Sequence, residues 1–70
     1  MAKQTSLADR LKELRTEKDI TQVELAEKSG VPRGTLSQWE AGRKIGNVNK
    51  LIALAQYFGV SVDYLIGIED

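Results

Sequence analysis

The sequence predicts an all-α domain of five short helices, and three observations carry that prediction. Ser6, Thr21, Asn47 and Ser61, whose side chains suit the free amides of a first helical turn, each precede a stretch with apolar residues spaced along a helix face. Gly30 and Gly59 stand where two of those stretches end and suit a left-handed stop. The stretch TQVELAEKSGVPRGTLSQWEAG, from Thr21 to Gly42, reads as two helices joined by a tight turn, and the remaining residues are arranged to hold it.

Residues 1–5 have no periodic pattern and read as an N-terminal arm or a disordered leader. Ser6 starts the first helix, with Asp9 three residues on as a Ser-x-x-Asp capping box, and Leu7, Leu11 and Leu14 line one face up to about Lys18. Asp19-Ile20 is a short link, with Ile20 as a hydrophobic staple before the Thr21 cap. Thr21 and Glu24 form a second capping box, which sets the second helix at Gln22 to Ser29, with Val23 and Ala26 marking one buried side and Leu25 an adjacent one. Gly30 turns the chain, and Pro32 suits the start of a third helix over about 33–41. Ala26 faces that turn, small enough for Leu25, Val31, Leu36 and Trp39 to share one core.

Residues 42–46 read as a loop. Asn47 caps a fourth helix whose Val48, Leu51, Ile52, Leu54, Ala55 and Phe58 make a wide apolar face ending at Gly59. Ser61 caps a short fifth helix, with Asp63 favourable to its dipole and Leu65 returning to the core. The domain is expected over 6–67, the paired helices over 22–41, and a tail over 68–70.

Composition bounds the function. A 70-residue chain makes at most one domain, burying only about 60% of the surface its unfolded form exposes, and it leaves no room for a deep substrate cavity. With neither cysteine nor histidine, the thiolate, the disulfide, and the commonest metal ligand and general base are all missing. No nucleophile–base pair, paired-carboxylate site or phosphate-cradling glycine loop is present, so the expectation is neither an enzyme nor a metal or cofactor protein. No apolar run approaches the roughly 20 residues that cross a bilayer and MAKQTSLADR lacks a signal-peptide core, so no membrane partner is expected and the cytoplasm is.

The formal net charge of zero argues against nucleic acid, but the charges are unevenly placed. Arg33, Arg43, Lys44 and Lys50 face a single acidic residue, Glu40, between positions 33 and 50, while Asp63, Glu69 and Asp70 make the C-terminus acidic. With Leu36 and Trp39 inward, Arg33, Gly34, Ser37 and Gln38 turn outward as a strip suited to base edges in a major groove. Arginine bonds bidentately to guanine and glutamine to adenine, while serine adds a hydroxyl and glycine leaves the backbone open. Such a strip is also what an ordinary solvated helix face looks like; the surrounding paired-helix pattern selects base reading. Gln22, Arg43, Lys44 and Asn47 would meet phosphates and fix the docking register, and Thr35 at the helix edge would either reach a phosphate or help order the first turn.

The order Gln22, Leu25, Ala26, Gly30, Val31, Leu36, Trp39-Glu40 and Gly42, with GVSVDYLIG downstream, resembles the phage Cro/repressor-like, or XRE, helix-turn-helix family from about Leu7 to Gly67. Ser29, where the family more often has an apolar residue, and Pro32, in place of a frequent serine cap, depart from its pattern. The resemblance implies a lambda-repressor-like DNA-binding domain, bacterial or phage-encoded, acting on double-stranded operator DNA as a transcriptional repressor. It also implies a structural pairing of Arg15 with Glu40; the alternative is that both are solvated surface charges.

Tyr57, Tyr64, Ile66 and Ile68 are apolar residues left over from this core. They mark either a homodimer contact, as the family commonly forms near this end, or a Tyr64 that seals the core beside a frayed terminus. The chain stops where longer repressors continue through a linker, which leaves a further domain open. The competing function is an antitoxin-like or adaptor module that uses the same fold to bind a protein partner.

Overall fold

Every helix begins beside the residue read as its start. In a computed structural model, which describes residues 6–43 and 47–68, the elements are α1 (Leu7–Lys18), α2 (Gln22–Ser29), α3 (Arg33–Glu40), α4 (Val48–Phe58) and α5 (Val62–Leu65). The arm at 1–5, Lys44 to Gly46 and the last two residues of the expected tail lie outside the described residues.

Ser6 accepts from the Asp9 amide, Thr21 from Glu24, Asn47 from Lys50 and Ser61 from Tyr64, each bond between 3.0 and 3.2 Å. The Thr21 box closes reciprocally, because the Glu24 carboxylate also accepts from the Thr21 amide at 3.0 Å. At Ser6 only the forward bond forms, since Asp9 is a methylene shorter than the glutamate of a full box. Pro32 caps α3 without a side-chain bond. Gly30 and Gly59 take the left-handed stops at φ 81° and 72°. The end of α1 has no glycine and instead puts Asp19 at φ 56°, a conformation that aspartate tolerates better than most residues.

The helices pack α1 on α3, α2 on both α3 and α4, and α5 on α4 and α1. Leu11, Leu25, Leu36, Leu54, Leu65 and Val31 are the most fully buried side chains, so all five helices and the turn between α2 and α3 feed one core. Leu7, Leu14, Trp39, Leu51 and Ala55 complete it, with Ile20 and Ala26 packed against it.

Two apolar faces are narrower than expected. Val23 is 49% exposed rather than buried. On two-turn α2 the covered arc runs through Leu25, Ser29, Gln22 and Ala26, and Val23 lies about 60° beyond its edge. Val48 and Ile52, expected on the buried face of α4, are 66% and 39% exposed, and Phe58 is half-buried. The face of α4 that meets α2 and α5 is centred on Leu51, Leu54 and Ala55, which leaves Val48 and Ile52 on its open flank.

Candidate nucleic-acid interface

Helix α3 is held from beneath. Leu36 and Trp39 are buried from its inner side, and Glu40 at its last turn is the one buried charged residue among those described. The Glu40 carboxylate receives two hydrogen bonds from Arg15 of α1, Nε to Oε2 at 2.8 Å and Nη2 to Oε1 at 3.0 Å, while Nη1 donates to the Ile20 carbonyl at 3.0 Å. The pairing of Arg15 with Glu40 therefore stands, and the two are not separate surface charges. The hydrogen bond to Glu40 raises the Arg15 guanidinium above its ordinary value, while partial burial pulls the other way. This fork ties α1, the α1–α2 link and α3 together at one point, a role suited to arginine's planar geometry.

The α2–α3 turn fixes the other end of α3. Gly30 donates to the Ala26 carbonyl at 3.0 Å, and half-buried Ala26 keeps the approach of the helices close. Ser29, a departure from the family pattern, donates through its hydroxyl to the Leu25 carbonyl at 2.7 Å and accepts from the Val31 amide at 3.2 Å. A hydroxyl here thus staples the turn where an apolar residue would only pack.

The outer side of α3 is open. Arg33, Gly34, Ser37 and Gln38 are all exposed and fall within about 140° of one another around the helix. Among the described residues the side chains of Arg33, Ser37 and Gln38 make no hydrogen bond or ion pair, so their donors and acceptors are unspent. Thr35 is half-buried at the border of this strip. Arg43 is exposed just past α3, where its amide closes the turn on the Gln38 carbonyl at 2.9 Å. Gln22 is half-buried in the first turn of α2, and Asn47 is exposed, with its side-chain oxygen engaged in capping α4. Lys44 lies outside the described residues.

Of the leftover apolar residues, Tyr57, Tyr64 and Ile66 are half-buried against the core, whereas Ile68 is 65% exposed. A contact that sequence reasoning missed holds Tyr64: the Arg10 guanidinium carbon lies 4.0 Å from its ring centroid. Lys18 sits over Tyr57 in the same way at 5.2 Å. Among the described residues there is no group of carboxylates fit for a metal and no helix long and apolar enough to cross a membrane.

A helix-turn-helix family model matches residues 11–65, which spans the Arg15–Glu40 fork, the turn and the strip. The chain belongs to the XRE-type helix-turn-helix family. It is 37% identical over 62 residues to the transcriptional activator BcrR of Enterococcus faecalis, covering 89% of this chain and 30% of that protein. It is 34% identical over 64 residues to the immunity repressor of Bacillus phage phi105, covering 91% of this chain and 44% of that one. The chain thus spans half or less of the length of these two relatives. Its fold matches that of the P22 c2 repressor, solved in complex with a synthetic operator, with a TM-score of 0.82 and 29% identity over 93% of this chain and 98% of the other.

Proposed function

We propose that this helix-turn-helix chain is the DNA-binding part of a transcriptional regulator and acts as a repressor, with α3 in the major groove of double-stranded operator DNA. The observation that carries the reading is the strip of Arg33, Gly34, Ser37 and Gln38, exposed, without side-chain partners among the described residues and backed by a fixed core. Arg33 and Gln38 read base edges, Ser37 adds an adaptable contact, and Gly34 leaves the backbone accessible. Thr35, Gln22, Arg43, Lys44 and Asn47 hold the register through phosphates, contacts that position without carrying sequence information. The P22 c2 repressor, solved with a synthetic operator, and the phi105 immunity repressor support operator binding and repression, whereas BcrR is an activator.

The regulator works as a homodimer in the cytoplasm, with exposed Ile68 and the half-buried Tyr57, Tyr64 and Ile66 at the two-fold contact. Two copies of α3 then sit about 34 Å apart, one turn of DNA, on a palindromic site. Selection from a pool of random duplexes tests operator and stoichiometry together. The expected outcome is a two-fold symmetric consensus and an affinity that falls steeply with salt. A second reading, an antitoxin-like or adaptor module, is favoured by the exposed pair Val48 and Ile52 one turn apart on α4. Weak duplex binding that ignores salt, with no enriched sequence, would support it and refute the repressor.

A further inference from the structure

Gly34 is a glycine that the chain itself does not require. It is not among the glycines with positive φ, so its backbone suits any residue. A Cβ built on it meets nothing within 4 Å, so no neighbouring helix needs the space. It is the second residue of α3, and its backbone is already helical there, so alanine would hold that first turn at a lower entropic cost. The contrast with Gly30, Gly42 and Gly59, each at φ above 70°, is plain: those serve the fold, and Gly34 does not.

We propose that Gly34 is a specificity-determining residue whose bare backbone forms the contact surface for a base edge in the major groove. The inference rests on the DNA-reading function above and deepens it. Gly34 precedes Ser37 and Gln38 by one helical turn on the same exposed strip and adjoins Arg33, so it leaves a gap one side chain deep among three hydrogen-bonding groups. A helix docked with that gap against a base edge sits closer to the groove floor than any residue with a Cβ permits. The closer seating is what brings Ser37, the shortest of the three, within reach. Specificity at this point comes from shape fit, and the sequence preference depends on the seat being occupied without a clash.

The test is Gly34→Ala, with Gly34→Ser as a second variant, measured for thermal stability and for affinity on two probes: the consensus duplex recovered by selection and a random duplex of equal length. Gly34→Ala is expected to raise Tm by roughly 2–6 °C, since a helix former replaces glycine in open space. The same change is expected to weaken binding to the consensus duplex about tenfold or more, as overpacking does at a close contact, while binding to the random duplex is unchanged. Consensus affinity equal to or better than that of the unsubstituted protein overturns the inference, as does an equal loss on both duplexes or a lowered Tm. An unsubstituted protein with no salt-dependent duplex binding overturns the proposed function itself, which separates the two failures.

Discussion

Arg15 and Glu40 meet through a two-bond fork, 2.8 and 3.0 Å long, across 25 positions of sequence. The Glu40 side chain is only 5% exposed and that of Arg15 24%, so the pair is shielded from salt and its partners depend on each other. Arg15→Ala leaves an uncompensated carboxylate at the end of α3 and is expected to destabilise the domain by about 3–5 kcal/mol, an effect that persists in high salt. Urea denaturation at two ionic strengths checks this. A loss under about 1 kcal/mol, or one abolished by salt, is the signature of a surface pair and would contradict the geometry.

The pH dependence of Arg15 and of Glu24 runs in opposite directions. The raised Arg15 guanidinium contributes stability that is fully present below its ordinary, strongly alkaline value and is lost only as the pH rises above it, so this fork gives no neutral-range sensitivity on the arginine side. Glu24 is lowered from 4.5, chiefly by the bond from the Thr21 amide, so its contribution is present above 4.5 and is lost as the pH falls through the lowered value. The unsubstituted protein should therefore lead Glu24→Gln in Tm at pH 7, and that lead should shrink below pH 4.5. A lead that stays constant to pH 3 would show that the charge of the capping box does not matter.

Gly30→Ala should behave oppositely to Gly34→Ala. A Cβ at Gly30 also meets open space, but φ is 81°, so the effect is pure backbone strain of about 1–2 kcal/mol. The denaturation midpoint should fall with an unchanged urea slope. Equal or greater stability would mean that the turn relaxes, and that the α2–α3 angle is not set there.

Arg43 and Lys44 follow α3 in sequence, and Arg43 is exposed. As phosphate contacts, Arg43→Ala and Lys44→Ala should each weaken the consensus and random duplexes alike and reduce the salt slope by about one. A sequence-selective loss at Arg43 would move it into the base-reading set.

The helix starts were legible because Ser6, Thr21, Asn47 and Ser61 act locally, within three residues of their caps. The outward strip of α3 was legible because Leu36 and Trp39 leave little choice of inner face. Apolar periodicity alone misassigned Val23, Val48 and Ile52, since a short helix offers more apolar positions than its neighbours can cover. Asp19 gave no signal of its left-handed turn, because nothing but the fold selects it over glycine there. The Arg10–Tyr64 contact joins α1 to α5, and no local pattern encodes a meeting over that separation.

The central claim is that α3 reads bases through Arg33 and Gln38. Its most direct test is the affinity of Arg33→Ala and Gln38→Ala for the selected consensus duplex and for a random duplex at fixed salt. Each substitution should weaken the consensus complex by about 1–3 kcal/mol, while for Gln38→Ala the random complex is unaffected and for Arg33→Ala it falls by much less. Equal losses on both duplexes for Arg33→Ala, or no loss for either variant, would contradict it.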